Sequence, residues 1–261
     1  MSDDKAPPDW WREFFSGLAV EFWQAALPEE ATRADVEFLW RELHLSEDAR
    51  VLDVACGAGR LALPLAERGC AMSGVDISDE FLHAAGRAGA ERGLPLDLRR
   101  ADMRALPWES TFDAVFCFGN SFGFLDDAGH TAFLGAVARA LVPGGRFALD
   151  YGQAAESVLP RLVPHEEAQY GDFRFIEDNR YDPLTGRVET RYTFERGSRK
   201  ETKLGSHRVY TANEVVRMLG RAGLIVLDLF GSPDGAPYQI GSPRLILVAE
   251  RAGGSSQGTR G

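Results

Sequence analysis

Cysteine is scarce: Cys56, Cys70 and Cys117 are the only three in 261 residues. Their spacing matches no zinc site, and all three fall in apolar strand or turn contexts. The expectation is small buried residues in a reducing compartment, not a disulfide framework or a metal centre. Histidine adds nothing to a metal reading. His44, His83 and His165 have no acid or cysteine at ligand spacing, and His130 sits on a polar helix start that reads as surface. Basic charge is also short, with 29 Lys and Arg against 39 Asp and Glu and a net charge of -10. A phosphate-rich partner needs a basic face, so no nucleic acid is expected. No run of about 18 apolar residues exists, so no membrane span is expected. The chain starts Ser2-Asp3-Asp4, acidic where a secretory signal is basic, which points to a cytoplasmic protein. Nothing in the composition speaks to oligomeric state.

What is present is enough apolar sequence for a sizeable core, 44% of the chain, in one large or two small domains. Residues 1–8 and 252–261 are polar and read as disordered tails. Residues 9–44 read as two helices broken at Pro28. There Trp11, Phe14 or Phe15, Leu18, Phe22 and Ala25 recur at helical spacing, and Arg12, Glu13 and Glu21 make the segment amphipathic. Residues 45–152 and 211–251 alternate strand and helix patterns. The strands are Val51–Val54, Ala71–Val75, Leu96–Arg100, Phe112–Phe118 and Arg146–Leu149, then Leu224–Phe230 and Leu245–Ala249 after a helix over Ala212–Ala222. Thr211 and Glu214 form a capping box for that helix, and Ser78 is the N-cap expected for a helix reaching Glu91. Leu141-Val142-Pro143-Gly144-Gly145 reads as a helix-ending turn. Between the two parts, Val188, Thr190, Tyr192 and Phe194 alternate with polar residues, a period of two. With Phe173–Tyr181 and Thr202–Tyr210 this run makes residues 153–210 an antiparallel β insert.

Val51 to Arg60, VLDVACGAGR, carries the most information. Apolar strand, glycine turn, helix, second strand and a closing acid, Asp76, form the layout of a nucleotide-binding βαβ unit. Gly57 and Gly59 allow close approach of backbone to ligand. Asp76 stands where a ribose diol needs an acceptor. Gly57 to Ala62 also matches the dinucleotide pattern GxGxxG/A, so an NAD-dependent oxidoreductase is one reading. Asp53 argues against it, because an acid there faces a pyrophosphate with the wrong charge. S-adenosylmethionine has no phosphate and carries an ammonium and a sulfonium, which an acid favours.

The segment resembles motif I of the class I S-adenosylmethionine-dependent methyltransferases, with Ala55 where that family often has a further glycine. The other landmarks follow in order: Asp76, Ala101-Asp102-Met103, Phe112–Phe118, the Pro-Gly-Gly turn and the closing hairpin. The resemblance implies a Rossmann-like α/β fold: a seven-stranded, mostly parallel sheet with an antiparallel last strand, an N-terminal helical lid and the β insert. It implies S-adenosylmethionine as cofactor, with Asp53 near the methionine amino group and the backbone of Ala55, Cys56, Gly57 and Gly59 along the methionine. Asp76 and Ile77 then serve the ribose, and Asp102 and Met103 serve the adenine, with Phe118 at the end of the fourth strand. Trp11, Phe15 and Trp23 are either lid contacts or plain packing.

The insert lies, in that family, beside the reacting methyl, so it is the expected acceptor pocket. Tyr151, His207 and Tyr210 are candidate catalytic groups, and Asn120, Phe122 and Arg208 candidate substrate contacts. His207 reads as a solvated strand residue ahead of a base, and Arg208 equally as a carboxylate binder or a surface ion pair. No Asn-Pro-Pro-Tyr segment follows the fourth strand, which disfavours methylation of nucleic-acid bases. The expected activity is methyl transfer to nitrogen or oxygen of a small-molecule acceptor, mainly through proximity and orientation. The alternative is an S-adenosylmethionine-binding sensor or partner protein without turnover.

Overall fold

The computed structural model describes residues 5–253. Of the expected tails, residues 1–4 and 254–261 lie outside the described residues. The N-terminal region holds three helices, not two: α1 (Trp11–Phe14), α2 (Leu18–Ala25) and α3 (Glu29–Glu42). The expected break at Pro28 is present, with Pro28 at the N-cap position of α3. The extra break is at Gly17, whose φ of 61° is left-handed and ends any continuous helix.

The core alternates strand and helix through β1 (Arg50–Val54), α4 (Ala62–Glu67), β2 (Ala71–Asp76), α5 (Asp79–Glu91), β3 (Asp97–Arg100), β4 (Phe112–Cys117), α6 (Asp127–Ala140) and β5 (Leu141–Tyr151). Short α7 (Ala155–Val158) leads into the insert strands β6 (His165–Tyr170), β7 (Phe173–Asp182), β8 (Arg187–Arg196) and β9 (Arg199–Arg208). The chain then returns through α8 (Ala212–Arg221), β10 (Leu224–Phe230) and β11 (Leu245–Arg251). Seven strands form one sheet in the order β10-β11-β5-β4-β1-β2-β3, with β11 antiparallel to both its neighbours. The insert is a separate four-stranded antiparallel sheet, β6-β7-β8-β9. The expected fold class is therefore the observed one.

Burial on both faces explains the near-continuous apolar run in β4. Val115 and Cys117 enter one core with α6, α8 and the aromatic residues of α1 and α2. Ala114 and Phe116 enter the other, with Phe38 and Leu39 of α3 and Leu65 of α4. Ser78 caps α5 through Phe81 N, and Thr211 and Glu214 close the capping box of α8.

Two boundaries depart from expectation. β5 begins at Leu141, directly after α6, so the Pro-Gly-Gly segment is no free turn. Phe112 pairs with Leu141 and Ala114 with Arg146, and Gly144 at φ 78° absorbs the extra residues as an irregularity in the pairing. β6 was not expected, because His165–Tyr170 lies largely exposed at the insert's edge and shows no apolar alternation. Among the described residues no helix is long and apolar enough to cross a membrane.

Candidate functional site

The carboxyl ends of β1, β2 and β4 open on one cavity of about 1000 Å³. Open α/β sheets present ligand sites at this end. β1 delivers Asp53 to it, and the chain then turns under it through three left-handed residues: Ala55 (φ 59°), Gly57 (φ 54°) and Gly59 (φ 81°). A side chain added at Gly57 would meet no protein atom within 4 Å, so the loop's open side faces the cavity.

Asp53 is 3% exposed and lines the cavity. It accepts no hydrogen bond from the described residues. Burial pushes its carboxyl up to about 8; Arg60 pulls it down and Asp76 pushes it further up. A buried acid held this way either keeps its proton or is paired with a cation. Asp76, at the end of β2, is different. Its Oδ2 accepts from Gly57 N and its Oδ1 from Ser78 N, each at 2.9 Å. Burial raises it, and the amides of Ser78, Gly57 and Ile77 offset part of that. Each oxygen keeps a second lone pair.

Asp102 caps the turn after β3 through Arg104 N at 3.0 Å and grips the Arg104 guanidinium at 2.9 and 2.6 Å. Burial pushes its carboxyl up, but Arg104, with Arg12 beyond, outweighs this and holds it below the usual range. It is at once the turn cap and a wall of the cavity. Ile77, Met103, Phe118, Cys56 and Ala55 line the same space. So do Trp11, Phe15 and Trp23, which also pack on the core. Packing and cavity lining are thus not exclusive for these aromatics.

The N-terminal segment is fastened over the cavity from two sides. Ser78 Oγ donates to Phe15 O at 2.8 Å, and Gly17 N donates to Glu80. From the insert, Lys203 Nζ donates to Phe14 O at 2.6 Å and Ser16 O at 2.7 Å, and Trp10 Nε1 donates to Ser206 O.

The acceptor-side expectations divide. Asn120 and His207 line the cavity; Phe122, Tyr151, Arg208 and Tyr210 do not. Asn120 stands at φ 69°, with Oδ1 accepting from Gly152 N at 3.0 Å. His207 is 4% exposed, not a solvated strand residue, and burial with the nearby Arg187 pushes its pKa down to about 3. A neutral imidazole of that basicity takes up a proton poorly at neutral pH. Tyr151 is fully buried; its hydroxyl donates to Arg208 O and accepts from Tyr210 N. Tyr210 donates to Asp127 at 2.5 Å. Arg208 pairs with Asp127 and with the carbonyls of Gly186 and Val209. Phe122 packs in the core against His130 and Tyr151. His130 itself is no surface group: it is fully buried between the Phe122 carbonyl and the Tyr210 hydroxyl.

Sequence reasoning missed part of the lining. Arg60 reaches Asp35 at 2.9 Å, and Arg244 bridges Asp35 to Asp150, which also holds Gly119 N. These partners lie far apart in sequence, with no spacing to mark them. Gln153 and Glu177 were also missed. Glu177 sits among polar residues of β7, and only its register with Tyr192 shows which face it shares. Among the described residues no group of acids, histidines and cysteines could hold a metal ion.

The methyltransferase-domain family matches residues 51–145, which hold β1 to the start of β5. A demethylmenaquinone methyltransferase of Thermus thermophilus is 35% identical over 146 residues, covering 50% of this chain and 65% of that enzyme. A ubiquinone biosynthesis O-methyltransferase of Xanthomonas oryzae is 30% identical over 175 residues, 61% of this chain and 72% of that enzyme. Among solved structures, an S-adenosylmethionine-dependent methyltransferase from Clostridium acetobutylicum superposes with a TM-score of 0.76 at 20% identity, covering 89% of this chain and 96% of that one.

Proposed function

The chain belongs to the class I S-adenosylmethionine-dependent methyltransferases, and from that premise we propose that it methylates a nitrogen or oxygen of a small molecule bound between the core and the β insert. The observation that carries this is Asp53, a buried carboxylate without a protein partner at the floor of a cavity of about 1000 Å³. Such a group fits an ammonium and opposes a pyrophosphate, so the dinucleotide reading falls. The relatives are named as methyltransferases and lend no support to a sensor without turnover.

The residues present fit the cofactor. Asp53 receives the methionine ammonium, and the backbone of Ala55, Cys56, Gly57 and Gly59 lies along the methionine. Asp76, with Ile77 beside it, takes the ribose diol on its remaining lone pairs. Asp102 and the Met103 amide take the adenine edge, and Phe118 closes the cavity wall. Trp11, Phe15 and Trp23 exclude water from above. Residues 9–44 thus act as lid, 45–152 with 211–251 as cofactor core, and 153–210 as acceptor wall.

S-adenosylmethionine supplies an electrophilic methyl on a sulfonium, and the transfer needs alignment more than acid–base help. Positioning of this kind contributes on the order of 7–11 kcal/mol in favourable cases. Asn120 and His207 are the acceptor contacts retained from the sequence; Tyr151, Tyr210, Phe122 and Arg208 have structural roles in this reading. Small-molecule acceptors are in keeping with the quinone-biosynthesis names of the relatives. A net charge of -10 is unsuited to nucleic acid. Three free, buried cysteines suit a reducing cytoplasm.

Calorimetric titration with S-adenosylhomocysteine, with NADH as control, tests the cofactor reading. Micromolar binding of the first alone is expected; binding of NADH alone overturns it.

A further inference from the structure

The insert sheet turns one face to the cavity, and its register fixes which residues share that face. Glu177 on β7 pairs with Tyr192 on β8, and His207 on β9 lies on the same face through the pair Val188–His207. All three line the cavity. Of these three only Glu177 is charged, and its half-buried carboxylate accepts no hydrogen bond from the described residues; Lys203, opposite Tyr192 on the same face, is taken up by the carbonyls of Phe14 and Ser16. The basic residues that line the cavity, Arg33, Arg60, Arg68 and Arg92, all come from the opposite side, at α3 to α5.

Three further polar atoms around the cavity are buried without a partner: His207 Nδ1, Gln153 Oε1 and Trp23 Nε1. His207 is 4% exposed and ringed by Trp10, Phe124 and Tyr192, with ring centroids at 5.3, 5.2 and 6.4 Å. An unpaired acid, open hydrogen-bonding atoms and aromatic walls form a site for an organic cation. A carboxylate or phosphate acceptor would meet the Glu177 carboxylate here, while the guanidinium near His207, that of Arg187, is already engaged by Ser206 and the carbonyls of Phe124 and Leu125.

We infer that the acceptor is a primary or secondary amine, received as its ammonium by Glu177 and held between the aromatic walls beside His207. This rests on the methyltransferase reading and narrows it from nitrogen or oxygen to nitrogen. The ammonium gives one proton to the Glu177 carboxylate and becomes a neutral amine. The nitrogen lone pair forms the bond to the methyl carbon as the carbon–sulfur bond breaks, and that electron pair stays on sulfur. The products are a methylammonium, a thioether and a protonated Glu177. Burial, with Glu166 adding to it, already pushes the Glu177 carboxyl up to about 7, which suits it to take that proton.

The test uses the full chain and tritiated S-adenosylmethionine with a panel of aliphatic, aryl and sugar amines, each matched with the alcohol or phenol of the same skeleton. Methylated members are expected to be amines. Glu177→Gln is expected to lower their kcat/KM on the order of tenfold or more, with affinity for S-adenosylhomocysteine unchanged as the check on folding. Hydroxyl partners methylated as well as the amines, no amine methylated, or an unchanged kcat/KM in Glu177→Gln each overturn the proposal. Should Glu177→Gln lose S-adenosylhomocysteine affinity, Glu177→Asp, which keeps the charge, is expected to restore methylation of amines; failure to do so also overturns it. Failure of the wild type to bind S-adenosylhomocysteine would instead overturn the methyltransferase reading beneath it.

Discussion

Asp76 holds the glycine loop by its backbone: its Oδ2 accepts from Gly57 N at 2.9 Å, across 19 residues of sequence. The same carboxylate stops the next turn through Ser78 N. An acid that lines the cavity is thus also the strut of the loop that lines it. Asp76→Ala removes both functions. The expected result is S-adenosylhomocysteine binding weaker by roughly 1.5–3 kcal/mol, with a loss of stability of about 1–3 kcal/mol for the two stranded amides. Calorimetry and urea unfolding separate the two, and unchanged affinity would end the ribose assignment.

Asp53 is expected to make cofactor binding depend on pH. Its folded pKa of about 8 lies above the unfolded value of about 3.9. The buried acid is therefore protonated in the ligand-free protein at neutral pH, and pairing with an ammonium requires it to ionise. Affinity for S-adenosylhomocysteine is expected to rise from about pH 6 to pH 8, with proton release on binding. Stability of the ligand-free protein runs the other way. The contribution of a raised acid is complete below its unfolded pKa and is lost as pH climbs through its folded one. Asp53→Asn should lessen that loss and flatten the binding profile. A wild-type affinity independent of pH over this range would mean that Asp53 does not face the ammonium.

Ala55 sits at φ 59°, a conformation that costs a residue with a Cβ about 1–2 kcal/mol. Glycine relieves that cost but loses more chain entropy on folding. The balance favours Ala55→Gly by about 0.5–1 kcal/mol, read as a higher urea midpoint with an unchanged slope. Destabilisation would show that the methyl group's packing outweighs the strain.

The glycine-loop side of the cavity was legible because it is local. Asp53, Gly57, Gly59 and Asp76 lie within 24 consecutive residues, and a βαβ unit converts that spacing directly into position. Asp102 and Met103 followed from their place after β3. The insert side of the cavity was not legible in the same way, because it is built by register between strands. Tyr210 and His207 are three residues apart, yet one caps the core behind the cavity and the other lines it. Glu177 reaches the cavity only because β7 pairs with β8 at Tyr192, a pairing that no local pattern specifies. His130 was misjudged because a helix start looks polar, whereas α6 packs that end beneath Phe122 and Tyr210.

Tyr151 tests the boundary between chemistry and support. It is fully buried, and burial pushes its hydroxyl well above the ordinary tyrosine range, so it cannot serve as a phenolate at neutral pH. Its oxygen joins Arg208 O to Tyr210 N and so fixes the crossing of the insert back into α8. Tyr151→Phe leaves one donor and one acceptor unsatisfied. The expected cost is about 1–3 kcal/mol of stability, with S-adenosylhomocysteine affinity and kcat close to wild type once the protein is folded. A fall in kcat of about a hundredfold or more, the range of a lost acid–base group, with stability intact would return Tyr151 to the catalytic group. The structural role predicts the opposite pairing, and unfolding curves beside single-turnover rates distinguish the two.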